Sequence, residues 1–197
     1  MKNQRKMIFS KKVDLAEGKP EISVSHYFSF DFSKEFIKKK KVLNIGSWTG
    51  GYEMLICNYA SKIISVDIEK KALAVIKKNL PQVECYKAYS HDLPFDDNTF
   101  DVVTLWAVIE HIPIGYELAT LKEIKRVLKP GGYLFLSTMN KNFLSNLLDP
   151  AYWLVGHRHY TKYQLKKNAI RCWIYYSKSS KTWFFFNSAQ CDIFLHI

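Results

Sequence analysis

A glycine-rich turn between a buried strand and a helix carries the clearest chemical pattern in the sequence. The stretch "VLNIGSWTGGYEMLI", residues 42–56, has the apolar run of a strand, then glycines, then a helical segment. Such a turn lets the backbone approach a ligand closely, and this layout commonly binds a nucleotide-like cofactor. Gly46 and Gly50 keep their places, but Trp48 stands in the middle, where such loops normally carry glycine. The pattern predicts a cofactor site and leaves the cofactor open.

Three kinds of cofactor site use this layout, and the residues present favour one of them. A phosphate-binding P-loop requires Gly-Lys-Ser/Thr at its end, which this turn does not have. A dinucleotide site requires GxGxxG. Gly46 and Gly51 match its outer positions, but Trp48 replaces the glycine that lets the backbone approach a pyrophosphate. An S-adenosylmethionine site has no diphosphate to accommodate and tolerates a side chain that points away. We therefore expect S-adenosylmethionine, with a nicotinamide oxidoreductase as the weaker alternative.

Alternating strands and helices predict the scaffold that positions this turn. Apolar runs predict five strands, which are residues 41–46, "KIISVDI", "VECYKA", "FDVVTLWAV" and "YLFLST". Helical periods predict "EKKALAVIKKNL" and "YELATLKEIKRVL", and "HYFSFDFSKEFI" places Phe28, Phe32 and Phe36 on one face. This order predicts an α/β fold, a doubly wound, mostly parallel Rossmann-like sheet with helices on both faces. The C-terminal strands are expected to be incomplete.

Four motifs in order resemble those of class I S-adenosylmethionine-dependent methyltransferases of the small-molecule type, with a methyltransferase type 11-like domain. "VLNIGSWTG" resembles the first motif, usually D-x-G-x-G-x-G, and "VDIEKKAL" carries an acid at the end of strand two. "HDLPFDDNTFDVV" is similar to the segment leading into strand four, and "LKEIKRVLKPGGYLFLST" to the helix and strand-five motif. The resemblance covers about residues 27–140 and extends faintly to about residue 165. One glycine turn would be weak evidence, but four motifs in the right order are specific.

The resemblance implies which residues bind the cofactor. The turn from Gly46 to Gly50, with Ser47 and Trp48, would lie under the methionine part, with backbone N–H groups near its carboxylate. Asp67 would accept hydrogen bonds from both ribose hydroxyls, and Ile68 would pack on the adenine ring. Further residues would border the adenine, namely Tyr89, Ser90 and His91, although the family commonly has an acid at the position of Tyr89.

Asn44 is a second departure from the family pattern, since an acid at this position normally helps to hold the cofactor's ammonium group. Asparagine keeps an acceptor oxygen but loses the charge, so a hydrogen bond of about 1.5–3 kcal/mol falls to about 0.5–1.5 kcal/mol. We expect cofactor binding weaker by about tenfold. Asn44, Trp48 and Tyr89 also support the rival hypothesis, a degenerate, non-catalytic protein of this fold with weak cofactor binding.

The expected reaction asks little of side chains, because a sulfonium already activates its methyl group and in-line attack requires mainly orientation. A general base helps only where the acceptor must lose a proton. His111 and Glu110 follow strand four at the carboxyl edge of the sheet and are the candidate catalytic residues. Further candidates are His157, His159 and Tyr160. No spacing of residues indicates a metal site.

The segment after strand four indicates the class of methyl acceptor by its departure from a known type. It reads "LWAVIEHI" rather than the Asn-Pro-Pro-Tyr type that stacks a flipped base. No zinc knuckle or repeated basic-aromatic pattern follows it. We therefore expect a small-molecule, lipid-linked or sugar-derived acceptor rather than nucleic acid.

The charge and composition suit one cytoplasmic domain. The net charge of +11 lies in the ends: residues 1–41 have 11 lysines and arginines against 5 acids, and residues 157–197 have 7 against 1. We interpret this excess as lysine-rich solvated faces, with a basic surface for nucleic acid or membrane as the alternative. The four cysteines are scattered, no apolar h-region follows the basic N-terminus, and no uncharged run is long enough to span a membrane. The composition does not predict the oligomeric state.

The chain divides into three predicted segments. Residues 1–26 form an arm or cap, residues 27–165 form the S-adenosylmethionine-binding domain, and residues 166–197 form an atypical tail. From about Asn168 the tail loses helical period and groups aromatic residues without turn signals. We interpret it as a truncated or out-of-frame end that offers no convincing strand pair to finish the sheet.

Overall fold

The computed structural model describes residues 18–139, 141, 158–161, 163–165, 167, 175–176 and 190–196. Most of the predicted N-terminal arm, much of the tail, and His157 of the predicted domain therefore lie outside the described residues. The helices are α1 (Val24–Ile37), α2 (Gly51–Ile56), α3 (Lys70–Asn79) and α4 (Glu117–Val127). The strands are β1 (Lys41–Ile45), β2 (Lys62–Asp67), β3 (Glu84–Lys87), β4 (Phe100–Trp106), β5 (Leu128–Met139), β6 (Tyr175–Tyr176) and β7 (Gln190–His196).

The strands of this part of the chain form one sheet in the order β3-β2-β1-β4-β5-β7-β6. β1 to β5 are mutually parallel, whereas β7 runs antiparallel to β5 and β6 antiparallel to β7. The predicted doubly wound, mostly parallel sheet is confirmed. The strand order reverses between β1 and β4, so the loops after these strands diverge and open a crevice at the carboxyl edge of the sheet.

The tail contributes more of the sheet than its sequence pattern indicates. β7 pairs with β5 over seven residues, from Tyr133 opposite His196 to Met139 opposite Gln190. The expectation of incomplete C-terminal strands therefore fits the two-residue β6 but not β7, and β7 covers the β5 edge that would otherwise be exposed. The edge of β5 has unpaired backbone groups that a distant segment can satisfy, and such long-range pairing leaves no local turn signal. That the tail is out of frame or truncated stays a prediction.

Two apolar clusters form the core, one on each face of the sheet. α4 packs on the first face with the inward residues of β1, β4 and β5, including Leu43, Val103 and Leu134. α1, α2 and α3 pack on the second face, where Phe135 of β5 is fully buried. Strands covered on both faces explain the near-continuous apolar runs in the sequence. No helix in the described part of the chain has the length and apolar character needed to cross a membrane.

The three phenylalanines that the sequence places on one face of α1 do not all face the core. The rings of Phe32 and Phe36 lie 5.6 and 5.4 Å from that of Phe135, centroid to centroid, in edge-to-face contacts. Phe28 is 63% exposed. Phe28 therefore lies outside the surface by which α1 packs on the sheet.

Replacement of Phe135 by alanine is expected to lower the free energy of unfolding by about 3–5 kcal/mol, because it leaves a cavity where aromatic rings meet. Phe28→Ala is the matched control, and it should change the free energy of unfolding by less than about 0.5 kcal/mol. Chemical denaturation of both variants measures the difference. Equal effects would contradict the packing described for α1.

Candidate cofactor site

Two positions of the turn between β1 and α2 need glycine, because their backbone conformation is left-handed and side chains of neighbouring segments approach them closely. Gly46 has φ +75°, and a Cβ atom there would lie 2.2 Å from Val108 Cγ2. Gly50 has φ +89°, and its Cβ would lie 2.9 Å from Ile76 Cγ1. Both are left-handed conformations that only glycine adopts without strain. Both glycines singled out in the sequence are therefore required by the turn.

Trp48 occupies the middle of the turn with φ +46°, a left-handed conformation that costs a non-glycine residue about 1–3 kcal/mol. Its backbone N–H donates to Asp67 Oδ2 at 2.9 Å, and this hydrogen bond supports the strained conformation. The indole is 39% exposed. The turn thus keeps its shape although glycine is missing from its middle position.

Asp67 joins the turn to the next strand. It ends β2, where one carboxylate oxygen accepts from Trp48 N–H and the other from Glu69 N–H, both at 2.9 Å. Gly46 N–H also donates to the carbonyl of Val66 at 2.7 Å. A carboxylate has about four acceptor positions, so both oxygens of Asp67 retain capacity for ligand hydroxyls. The sequence placed this acid at the carboxyl edge of the sheet beside the turn, and the structure places it there.

Asn44 belongs to a buried polar row across three strands. In the register of the sheet it lies opposite Ser65 of β2 and Thr104 of β4. Its Nδ2 donates to Glu53 Oε1 at 2.7 Å, and its Oδ1 accepts from Thr104 Oγ1 at 2.8 Å. Both ends of its amide are thus engaged inside the protein, and only 3% of the residue is exposed.

Glu53 of α2 is the acid at the centre of this row, and the sequence analysis gave it no role. Its Oε1 accepts from Asn44 and also from Ser65 Oγ at 2.6 Å. Its Oε2 has no hydrogen-bond partner among the described residues, and the residue is fully buried. Burial raises the pKa of this carboxyl, the hydrogen bonds from Ser65 and Asn44 oppose the rise, and the charge of Asp67 adds to it. Burial thus favours the neutral form of the Glu53 carboxyl.

The predicted adenine side of the site is an exposed group of aromatic rings. The Tyr89 and His91 rings stack with centroids 5.4 Å apart, and His91 lies 4.3 Å from Tyr116, which the sequence analysis did not single out. Ser90 Oγ is engaged with Thr120 Oγ1 at 2.9 Å. Among the neighbouring positions, Ile68 is 59% exposed just after β2, so its side chain is available to pack on a planar ligand.

The loop after β4, residues 107–116, closes the other side of the crevice. Glu110 is buried, and its Oε2 accepts from Thr138 Oγ1 of β5 at 2.8 Å. His111 is exposed. Ala107 has φ +52°, and its N–H donates to the carbonyl of Ser137 at 3.0 Å. The two candidate catalytic residues therefore differ: Glu110 anchors the loop from inside, and only His111 faces solvent.

Residues 158–161 fasten this loop from outside. Arg158 donates to the carbonyl oxygens of Ile109 and Ile112 and forms an ion pair with Glu117. Tyr160 O–H also donates to Glu117, at 3.2 Å. Burial would raise the pKa of Glu117, but backbone hydrogen bonds and the charge of Arg158 outweigh it and leave the pKa below its ordinary value. His159 and Tyr160 are both buried, which suits packing better than proton transfer.

The structure thus brings the predicted residues of β1, β2, β4 and their loops to one edge of the sheet. Sequence reasoning missed Glu53, Tyr116 and Arg158. One signal for Glu53 was present, an acid on the buried face of the helix after the turn, opposite a strand that carries asparagine. Tyr116 and Arg158 contact residues far away in the sequence, so no local sequence pattern predicts these contacts.

Comparisons with known proteins agree with this architecture. Residues 43–136 match the family model for the methyltransferase domain. The ubiquinone biosynthesis O-methyltransferase of Coxiella burnetii (strain Dugway 5J108-111) is 29% identical over 124 residues, 61% of this chain and 50% of that protein. A probable S-adenosylmethionine-dependent methyltransferase of Mycobacterium tuberculosis, MT3114, is 34% identical over 102 residues, 52% of this chain and 36% of that protein. The chain therefore spans half or less of the length of these curated relatives.

A solved structure shows the same fold over nearly the whole chain. The PH0226 protein from Pyrococcus horikoshii OT3 superposes with a TM-score of 0.72 at 19% identity, covering 95% of this chain and 97% of that one. Identity at this level supports the fold alone.

Glu53→Gln is expected to raise the free energy of unfolding near pH 8, because burial raises the pKa of Glu53 in the folded state above its ordinary value of 4.5. The unfolded chain gains stability by ionising as the pH rises above about 4.5, and the folded chain does not until its higher pKa is reached. The advantage of the variant should therefore shrink toward zero near about pH 4. Chemical denaturation across this pH range checks the sign, and a variant less stable at every pH would contradict a neutral Glu53.

Proposed function

We propose that this chain is a class I S-adenosylmethionine-dependent methyltransferase and that it transfers a methyl group from S-adenosylmethionine to a small-molecule, lipid-linked or sugar-derived acceptor. The match of residues 43–136 to the methyltransferase domain supports this proposal. The observation that carries the proposal is the position of Asp67. Its carboxylate lies at the end of β2, fixed by two backbone N–H groups beside a glycine turn. A short acid at a strand end can accept hydrogen bonds from two adjacent ribose hydroxyls.

The remaining residues fit the other parts of the cofactor. Ser47 Oγ is buried in the turn without a hydrogen-bond partner among the described residues, so a polar ligand group would satisfy it. The exposed ring of Tyr89 and the half-buried ring of His91, with the exposed side chain of Ile68, offer apolar surface to the adenine. Trp48 lies in the turn, where its backbone binds Asp67, and its indole is partly exposed. The indole is therefore not part of the core and is available to a ligand in the crevice. Asn44, with both amide atoms engaged, is a support for the turn rather than a direct ligand.

S-adenosylmethionine supplies a methyl group that its sulfonium already activates for in-line attack. The protein has to orient the acceptor, exclude water and accept a proton when the nucleophile carries one. His111, exposed on the loop after β4, is the proposed proton acceptor. Glu110 is proposed as a positioning residue, because its carboxylate ties that loop to Thr138 of β5.

An oxygen nucleophile suits this arrangement best. The name of the Coxiella burnetii relative, a ubiquinone biosynthesis O-methyltransferase, supports a hydroxyl group on a small or lipid-linked acceptor. The exposed aromatic and aliphatic side chains at the rim of the crevice, Trp48, Tyr89, Ile114 and Tyr116, suit an acceptor with an apolar ring or chain. We propose that the reaction takes place in the cytoplasm.

The rival proposal is a non-catalytic protein of the same fold that binds the cofactor weakly. Two observations favour it: the strained backbone of Trp48, and the engagement of Asn44 by Glu53 and Thr104. Titration with S-adenosylmethionine, followed by calorimetry, separates the two proposals at the first step. Absence of binding at millimolar concentration would leave the catalytic proposal without support.

Asp67→Asn is expected to weaken S-adenosylmethionine binding by about tenfold to hundredfold, because charge-assisted hydrogen bonds to the ribose become neutral ones. Asp101→Asn is the matched control. This aspartate lies at the amino end of β4, the opposite edge of the sheet, where it accepts from Lys41 N–H and pairs with Lys129. Calorimetric titration of both variants should show the loss only for Asp67. An equal loss in both would indicate a general structural effect.

Transfer of a labelled methyl group to a hydroxyl-bearing acceptor is expected when the protein is incubated with labelled S-adenosylmethionine and fractionated cell extract. His111→Gln should lower the rate by about 10²–10⁴-fold for an acceptor that must lose a proton. The same substitution should leave S-adenosylmethionine affinity unchanged, because His111 is not among the proposed cofactor contacts. An unchanged rate for an acceptor with an unionised hydroxyl would remove His111 from the mechanism.

A further inference from the structure

The buried row around Asn44 contains a carboxyl group in a position different from the family pattern. Asn44 cannot offer a charge, and its amide oxygen and nitrogen are already engaged by Thr104 and Glu53. The acid of this region stands on α2 instead, at Glu53 in the first turn after the glycines. In the family pattern the strand carries the acid. In this protein β1 carries the neutral amide of Asn44, and α2 carries the acid, Glu53.

The two oxygens of Glu53 have different surroundings. Oε1 accepts two hydrogen bonds, from Asn44 Nδ2 and Ser65 Oγ, which orient the carboxyl group. Oε2 is buried and has no hydrogen-bond partner in the described part of the chain. A buried polar oxygen without a partner costs about 1–3 kcal/mol, so such an atom calls for a ligand or a functional reason.

Among the residues that the structure describes, the charged and titratable groups packed around Glu53 do not supply a cation for it. Asp67 of β2 is a like charge, which opposes ionisation of Glu53. The Cys85 thiol of β3 stays neutral, because burial raises its pKa to about 11. Burial also raises the pKa of Tyr52, which precedes Glu53 on α2. His26 of α1 lies against Gly51 at the start of α2, and burial lowers its pKa, which favours the neutral ring.

We propose that Glu53 is the carboxylate that pairs with the ammonium group of S-adenosylmethionine, and that it releases its proton when the cofactor binds. This inference rests on the proposed function. In the free protein the carboxyl is neutral, with its proton on the unpartnered Oε2. The arriving ammonium supplies the missing positive charge, the O–H bond of Glu53 breaks, and the proton leaves to solvent. The bound state contains one carboxylate and one ammonium, so charge and protons balance.

In this scheme the asparagine at position 44 and the acid at position 53 compensate for each other. The Asn44 amide donates to Glu53 and stabilises its carboxylate form, which an aspartate at position 44 could not do. Two carboxyls this close would instead share one proton. Asn44 and Ser65 are positioning residues in this scheme, and Glu53 is the group that contacts the cofactor.

The coupling gives S-adenosylmethionine binding a pH dependence with a definite sign. Binding requires ionised Glu53, and its pKa in the free protein is raised. The affinity of the unmodified protein should therefore increase as the pH rises above 4.5, the ordinary pKa of a glutamate, up to about pH 7, where the α-amino group of the cofactor stays charged. In Glu53→Gln this dependence should disappear, because the amide has no proton to release.

Calorimetric titration near pH 6 in two buffers of different ionisation enthalpy measures the released proton directly. The unmodified protein should release up to about one proton per S-adenosylmethionine bound. Glu53→Gln should release none and bind about tenfold to hundredfold more weakly. The matched control is Glu84→Gln. This variant removes an exposed carboxyl of β3 that pairs with Lys62 of β2, and it should behave as the unmodified protein. S-adenosylmethionine binding without proton release in the unmodified protein would overturn the proposal.

A second ligand and a second variant separate this proposal from a general loss of structure. 5′-Methylthioadenosine lacks the amino acid part of the cofactor, so Glu53→Gln should bind it as tightly as the unmodified protein does. Asn44→Asp combined with Glu53→Gln returns the acid to the strand and should recover at least part of the S-adenosylmethionine affinity. Equal weakening for both ligands would assign Glu53 a structural role only. If the unmodified protein binds neither ligand, the proposed function itself fails.

Discussion

The whole arrangement depends on how closely the turn after β1 approaches the end of β2. Three consecutive backbone N–H groups of this turn, at positions 46 to 48, donate to the carbonyl of Val66 or to the carboxylate of Asp67. This contact fixes the left-handed conformations of the turn, and it brings the acid of one strand beside the glycines of the next. Parallel pairing of β1 with β2 makes the contact possible, because parallel strands bring their carboxyl ends to the same edge. The crevice is therefore a consequence of sheet register.

A second constraint lies beneath the turn, in the buried row of Ser65, Asn44 and Thr104. A polar row between two apolar clusters is costly unless every member finds a partner, and Glu53 provides the group to which two of its donors point. The row thus links three strands to α2 and fixes the start of that helix. Asn44 of the first motif therefore forms a pair with Glu53, and the effect of the asparagine depends on this acid.

The opposite wall of the crevice is stabilised by segments far away in the sequence. Arg158 binds two carbonyl oxygens and a carboxylate of the 107–117 region, and Glu110 joins the same region to β5. β7 pairs with the free edge of β5 over seven residues. Residues beyond the part that matches the methyltransferase domain therefore shape the site. The described C-terminal residues thus support the loop after β4 and the free edge of β5.

The sequence by itself determined the order of strands and helices, the two glycines of the turn and the acid at the end of β2. Each of these follows from a local period, or from the rule that ligands bind at the carboxyl edge of a parallel sheet where the strand order reverses. Only the tertiary structure decided that Asn44 donates to Glu53, that Trp48 adopts a left-handed conformation, that Glu110 lies inside while His111 lies outside, and that the tail supplies β7. These features depend on which distant groups meet, on burial and on unpaired hydrogen-bonding groups, and a local pattern contains none of that information.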